Sequence, residues 1–219
     1  MTKIYDHFIH LMQKINRRQS VCGALLALLF PLATFSAEVG TLTPVCIGCH
    51  GLNGLSVNST VPIIAGQAYT VIEDNLLAFR DGERACTETE YLQGEAAALV
   101  SVMCKVVATL ENSDISALAE FFELQAFAPA RQPFDPLLAA EGASIHLEAN
   151  CELCHSQGGS ENNGMSAILA GQWTPYLERS LLRIRAGERK GPKVMNQAIR
   201  EFTDKDIAAL LSYYASQPD

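Results

Sequence analysis

The pattern Cys-x-x-Cys-His occurs twice in this sequence, at residues 46–50 and 151–155. Two thiols at this spacing can bond to the two vinyl groups of one haem, and the adjoining histidine can then ligate the iron. A pair of cysteines three positions apart also occurs in zinc sites and in thiol redox centres. The residues around the two motifs therefore have to show which kind of site is present.

The chain repeats around the motifs, in register. At a constant shift of 105 residues, Ala-Gly-Gln at 65–67 aligns with 170–172, and Gly-Glu-Arg at 82–84 aligns with 187–189. A zinc site needs further ligands after each pair, and apart from the motifs only three Cys or His residues follow residue 37. We therefore predict two covalently bound haem c groups. The attachment residues are Cys46, Cys49, Cys151 and Cys154, and the proximal iron ligands are His50 and His155.

The first 37 residues have the features of a secretory signal peptide. A polar segment ends with basic residues up to Arg18, an apolar run extends from Val21 to Phe35, and the small residues Ser36 and Ala37 follow. The apolar run has 15 residues, fewer than the roughly 20 of a spanning helix, so an uncleaved anchor is the less favoured alternative. We predict export to the periplasm, where disulfides can form, and cleavage near Ala37.

Net charge limits the partners of the exported chain. Without residues 1–37, 12 Lys and Arg residues remain against 23 Asp and Glu residues. Nucleic acid is therefore not expected as a partner, because its phosphates would repel the chain. A redox protein with a basic face fits this acidic chain better.

Two methionines belong to the repeat. The terminal helices of the two halves align at a shift of 92 instead of 105, which locates a 13-residue insertion between Arg84 and Met103. Met103 aligns with Met195 at this new shift, and both precede a terminal helix. We therefore predict Met103 and Met195 as the distal iron ligands. Met165, ten residues after His155, is the competitor in the second half.

Taken together, these features resemble the dihaem cytochrome c4 family. The matching pieces are the two haem motifs, the Ala-Gly-Gln loops, the Gly-Glu-Arg segments, the paired methionines and a final aromatic-rich helix. The resemblance covers nearly the whole chain after the signal peptide and is most detailed from Met195 to Gln217. It implies an all-α fold of two tandem class I cytochrome c domains, related by a pseudo-twofold axis, each around one covalently bound haem c with His/Met ligation.

The repeat and the resemblance also predict domain boundaries. We expect a signal peptide at 1–37, a first cytochrome c domain at 38–127 with an insertion at about 85–102, a Pro-rich linker at 128–136 and a second domain at 137–219. Three prolines make the linker stiff and extended. Residues 38–45 are expected to be too few for a full helix before Cys46.

The resemblance implies a periplasmic electron carrier of a respiratory chain. A quinol-oxidising complex or a dehydrogenase would be the donor and a terminal oxidase or similar acceptor would receive the electron, with any membrane association made through a partner. Two alternatives remain open. One is a dihaem redox enzyme similar to thiosulfate dehydrogenases, with an open haem or with Cys104 as ligand. The other is a fixed electron-transfer subunit of a larger complex.

Cys86 and Cys104 have no counterparts in the second half and flank the same insertion. A disulfide between them is therefore the favoured interpretation. The alternative is ligation of iron by the Cys104 thiolate, which would lower the reduction potential.

Several other residues carry expectations. A backbone carbonyl in the loop 61–67 should orient His50, and Ala167 can supply the same carbonyl where the first half has Pro62. Gly142 is expected to permit a close crossing of two helices, and His146 to be a surface residue. Two glutamines could bond haem propionates, cross the domain interface or simply be turn residues beside a glycine, and four arginines could bond propionates or end helices in solvent. These residues are Gln67, Gln172, Arg80, Arg84, Arg185 and Arg189.

Overall fold

The structure is a computed structural model that describes residues 35–91 and 99–217. Nearly all of the predicted signal peptide and the middle of the predicted insertion therefore lie outside the described residues. Among those residues, no helix is long and apolar enough to cross a membrane.

Both halves of the described chain are helical, which confirms the predicted all-α class. The first half contains α1 (Phe35–His50), a 3-10 turn (Leu52–Gly54), α2 (Tyr69–Arg80), β1 (Glu88–Glu90), β2 (Val100–Val102), α3 (Met103–Val107) and α4 (Asn112–Glu123). The second half contains α5 (Pro136–Glu148), a 3-10 turn (Cys151–Leu153), α6 (Ser156–Gly159), α7 (Thr174–Arg185), α8 (Lys193–Glu201) and α9 (Asp204–Ala215).

In the first half, α1 and α2 pack on the terminal helix α4. Ile72 of α2 and Leu118 and Phe122 of α4 form the buried cluster, and Leu42 and Cys46 of α1 pack against it. The expectation that too little chain precedes Cys46 for a helix is wrong. The helix does not end before the haem motif but runs through it to His50, so the motif residues themselves supply its last turns.

In the second half, α5 crosses the terminal helix α9 at close range. A Cβ atom on Gly142 would lie 2.1 Å from the carbonyl oxygen of Ala209 and 2.8 Å from the Cβ of Tyr213. The predicted close crossing at Gly142 is therefore confirmed, and the missing side chain offsets the low helix propensity of glycine. Asp135 caps the start of α5 by accepting hydrogen bonds from the amides of Leu137 and Leu138.

The two halves share an apolar cluster and a bound connecting segment. Ile63 and Ala65 of the first half are buried against Ala130 of the connection, with Trp173 of the second half packed beside them. The connection has no helix between residues 126 and 135, and the amide of Ala130 donates to the carbonyl of Gly171 at 2.7 Å. The connecting segment is thus hydrogen-bonded to the body of the protein.

A two-stranded hairpin follows α2 and has no counterpart in the described second half. Its strands pair antiparallel, with Glu88 opposite Val102 and Glu90 opposite Val100. The sequence did not reveal these strands because each has only three residues, too few to show an alternating pattern.

Candidate haem sites

The first Cys-x-x-Cys-His motif ends α1. His50 is buried, and its Nδ1–H donates a hydrogen bond to the carbonyl oxygen of Pro62 at 2.9 Å. A carbonyl oxygen can only accept, so the proton lies on Nδ1 and the lone pair of Nε2 is available to a metal. Burial lowers the pKa of His50, which favours the neutral imidazole that iron requires.

The second motif reaches the same arrangement through a different local fold. Here the helix α5 stops at Glu148, Asn150 takes a left-handed conformation with φ of 60°, and the cysteines lie on a short 3-10 turn. The Nδ1–H of His155 still donates to a backbone carbonyl, that of Ala167, at 3.0 Å. Burial lowers the pKa of this histidine as well. The predicted carbonyl partners of both histidines are therefore confirmed.

Three of the motif thiols, those of Cys46, Cys49 and Cys151, lie in surroundings that disfavour the thiolate. Burial, and then the neighbouring Cys49, raise the pKa of Cys46 to about 12. Burial also raises the pKa of Cys49 and of Cys151. A thiol redox centre needs the opposite shift, so the environment fits cysteines that carry a covalently attached group. Two thiols beside an imidazole with a free Nε2 form a donor set that suits one haem c in each half.

The two methionines predicted as distal ligands occupy matching places in the fold. Met103 begins α3, directly before the terminal helix α4, and Met195 lies in the first turn of α8, directly before α9. Both are half-buried, and a Cβ on Gly191 would lie 3.6 Å from the sulfur of Met195. Met165, the competitor, is 78% exposed in the loop after the second motif.

Cys86 and Cys104 form a disulfide, with Cα atoms 5.9 Å apart. The bond joins the segment before β1 to the residue that follows Met103, so it closes the base of the hairpin. The hairpin also approaches the first haem motif, since the sulfur of Cys49 lies 3.9 Å from the carbonyl oxygen of Glu90. Glu90, the last residue of β1, therefore lies beside the first motif.

Two glutamines cross between the halves in a reciprocal pattern. The side-chain amide of Gln172 donates to the carbonyl of Ile63 at 2.9 Å and accepts from the amide of the same residue at 2.9 Å. Gln67 makes the matching pair with Ile168, at 3.3 and 2.9 Å. Of the roles considered for these glutamines, the structure shows the contact between the halves. The glycine before each glutamine donates its amide to the terminal helix of its own half.

The four arginines divide into two equivalent pairs. Arg80 binds the carbonyl of Leu110, and Arg185 binds the matching carbonyl of Phe202, so this pair ties a helix to the start of the terminal helix. Arg84 and Arg189, by contrast, converge from the two halves on the side-chain oxygen of Asn75.

The position where Arg84 and Arg189 meet carries excess positive charge. Neither arginine forms an ion pair with a carboxylate in the described part of the chain. Arg84 also donates to the hydroxyl of Tyr176 at 3.3 Å. Burial opposes ionisation of Tyr176, but the charges of Arg84 and Arg189 outweigh it and lower the pKa of this tyrosine to about 7. Such a position favours an added anion.

The prediction that His146 is a surface residue is wrong. Its exposed fraction is 0%, and its ring packs against the rings of Tyr213 and Tyr214, with centroids 5.4 and 5.7 Å away. Nε2 bonds to a carboxylate oxygen of Glu152 at 2.8 Å, and Nδ1 to the hydroxyl of Tyr214 at 3.0 Å. Helical spacing alone did not reveal these partners, because Glu152 comes within reach only after the chain turns at Asn150.

Comparison with known proteins supports the same assignment. No family model matches the chain. Cytochrome c4 of Pseudomonas aeruginosa is 27% identical over 183 residues, which are 77% of this chain and 82% of that protein. A thiosulfate dehydrogenase electron acceptor of Thiomonas intermedia is 27% identical over 219 residues, 94% of each chain. The solved structure of Acidithiobacillus ferrooxidans cytochrome c4 superposes with a TM-score of 0.63 at 28% identity, over 78% of this chain and 98% of that one.

A helical protein with two c-type haem motifs, each with a histidine aimed by a backbone carbonyl, is a haem c protein of the electron-transfer class. The relatives and structural neighbours named cytochrome c4 support the assignment of this chain to the dihaem cytochrome c4 family.

Proposed function

We propose that this protein is an exported electron carrier that holds two haem c groups and passes single electrons between protein partners in the periplasm. Cys46 and Cys49 would bind the first haem and Cys151 and Cys154 the second, through thioether bonds. When bound, each haem supplies an iron that changes between Fe(II) and Fe(III).

The observation that carries this proposal is the matched hydrogen bond of the two motif histidines. His50 and His155 each donate Nδ1–H to a backbone carbonyl, which leaves Nε2 free in both halves. A backbone partner of this kind fixes the ring and its tautomer, so the proximal ligand does not have to rearrange when the charge of the iron changes. Met103 and Met195 are proposed as the distal ligands because they occupy equivalent places before the two terminal helices.

Arg84 and Arg189 are proposed to receive haem propionates. Both come from the Gly-Glu-Arg segments, they meet at Asn75 between the halves, and the described residues offer them no carboxylate partner. A propionate would supply the missing charge. Replacing Arg84 with Gln should lower the reduction potential of the neighbouring haem, because a positive charge that disfavours Fe(III) is removed; an unchanged potential would contradict this role.

The carrier is favoured over an enzyme with a Cys-ligated haem. The Cys104 sulfur is bonded to Cys86, so it is not a free thiolate next to Met103. The Thiomonas intermedia relative is named as an electron acceptor of thiosulfate dehydrogenase and covers nearly all of this chain. That name supports a sulfur-compound dehydrogenase as one donor to consider besides a quinol-oxidising complex. A terminal oxidase or similar acceptor remains the proposed outlet.

A spectroscopic redox titration of the purified holoprotein tests the proposal. We expect mass spectrometry to find two haems per chain, resistant to acid extraction, and both reduced haems to be inert to carbon monoxide. Met103→Ala and Met195→Ala should each remove one methionine-to-iron absorption band and open one haem to carbon monoxide, whereas Met165→Ala should change neither. Carbon monoxide binding by the wild-type protein would instead support the enzyme.

A further inference from the structure

The two halves differ most clearly around the helix that leads into each haem motif. In the second half, His146, Glu152 and Tyr214 form a continuous hydrogen-bonded chain. In the repeat, the equivalent positions of the first half are Thr41, Ile47 and Phe122. A carboxylate, an imidazole and a phenol in the second half therefore replace residues that cannot form this chain.

The geometry defines where the protons lie. An ionised carboxylate can only accept, so Nε2–H of His146 donates to Glu152. Nδ1 of His146 and the hydroxyl of Tyr214 form the second hydrogen bond of this group, at 3.0 Å. Both ring nitrogens of His146 are therefore hydrogen-bonded. The negative charge of this group of three side chains lies on the Glu152 carboxylate.

Two backbone amides also bind the Glu152 carboxylate. The amide of Gln157 donates to one carboxylate oxygen at 2.7 Å, and the amide of Gly158 donates to the other at 3.1 Å. The Gly158 amide, and after it the His146 side chain, lower the pKa of Glu152. Three donors therefore stabilise the ionised form.

This charge lies within the second haem motif. Glu152 stands between Cys151 and Cys154, and the two amides that bind it come two and three residues after His155. A fixed negative charge beside a haem stabilises Fe(III) relative to Fe(II). The first motif has Ile47 at the matching position and gains no such charge.

We infer that His146 and Tyr214 are positioning residues that hold the Glu152 carboxylate at the attachment edge of the second haem, and that this carboxylate lowers the reduction potential of the second haem. The inference rests on the proposed function of carrying electrons on two haems. The Glu152 side chain is 39% exposed, so solvent screens part of its charge and the effect is modest.

The test is Glu152→Gln in the full-length holoprotein, because glutamine is nearly isosteric and keeps an oxygen for the same donors. We expect the potential of the second haem to rise so that its reduction equilibrium changes about threefold to tenfold, which is about 30 to 60 mV for one electron. The first haem should keep its potential. Met103→Ala and Met195→Ala spectra assign each transition to its half.

Two further variants test whether the change in potential depends on a charge at this position or on any carboxylate nearby. Glu152→Asp keeps the charge, so the potential of its second haem should differ from that of the wild type by no more than half of the Glu152→Gln shift. Glu161→Gln removes an exposed carboxylate of the loop that follows the same motif, and should move the second potential by less than a third of the Glu152→Gln shift. Equal shifts for Glu161→Gln and Glu152→Gln, or a shift shared by both haems, would overturn the inference. A wild-type protein without two one-electron transitions would instead refute the proposed function itself.

Discussion

The two halves of the molecule hold their histidines in the same way but surround them differently. Both use a backbone carbonyl to aim the ring and a glutamine to reach the opposite half. Only the described second half has a buried imidazole linked to a carboxylate, and only the described first half has a disulfide-closed hairpin. The repeated features are those that any haem site of this fold needs, whereas the unrepeated ones can give each haem its own properties.

The helices that lead into the motifs allow the sharpest contrast in stability. Gly142→Ala would force a Cβ to 2.1 Å from a backbone carbonyl of α9, and should lower the free energy of unfolding by about 3 kcal/mol. Gly40→Ala in α1 is the control, because its Cβ would meet nothing within 4 Å. It should leave stability unchanged or raise it by up to about 1 kcal/mol. Denaturant unfolding of both holoproteins measures the difference, and equal effects would contradict the close crossing.

Removing the disulfide should weaken the first half alone. The double variant Cys86→Ser with Cys104→Ser opens a loop with a sequence separation of 18, which should cost about 3 kcal/mol of unfolding free energy. Because Cys104 follows Met103, we expect weakening of the methionine-to-iron band of the first haem and no change at the second. The spectra of the two single methionine variants assign the bands. A change confined to the second haem would show that the hairpin does not support the first site.

The two glutamines test whether the halves are equivalent at their contact. Gln67→Ala and Gln172→Ala each leave a buried amide and carbonyl of the other half without partners, and each should lower the unfolding free energy by about 2 kcal/mol. Gln125→Ala, which loses one hydrogen bond within its own segment, should cost less. Thermal unfolding compares the three variants. A large effect of only one glutamine would mean that the contact is not reciprocal.

The smallest expected effect comes from giving the first half the charge of the second. Ile47→Glu should lower the potential of the first haem, because the added carboxylate favours Fe(III). The shift should be smaller than the opposite shift of Glu152→Gln, since the first half has Thr41 and Phe122 where the second half has the His146 and Tyr214 that hold the carboxylate. Redox titration checks both sign and size. A raised first potential would contradict the electrostatic argument.

Much of the protein structure around the two motifs was predictable, because the sequence around them repeats. The aligned loops predicted the carbonyl partners of His50 and His155, and the cost of a glycine within a helix predicted the crossing at Gly142. These features follow from local spacing and from chemistry that only a few residue types can perform. The ligand roles of Met103 and Met195 remain predictions, as do the domain boundaries.

Other features depend on contacts between distant segments and could not be predicted. The burial of His146 depends on a left-handed turn at Asn150, which brings Glu152 to its ring. A helical pattern does not show such a turn, so the sequence predicted a surface residue. The helix α1 was missed because it continues through the motif to His50 instead of ending before Cys46. The hairpin was missed because its strands are too short to show alternation.

The glutamine contacts reach further than the surface between the halves. Gln172 hydrogen-bonds to Ile63, which follows the residue whose carbonyl binds His50. Gln67 hydrogen-bonds to Ile168, which follows the residue whose carbonyl binds His155. Each half thus helps to fix the backbone that orients the histidine of the other half. A half separated from its partner would keep its own cysteines and histidine. It would lose the glutamine hydrogen bonds that hold the loop beside that histidine, so each haem site depends on both halves.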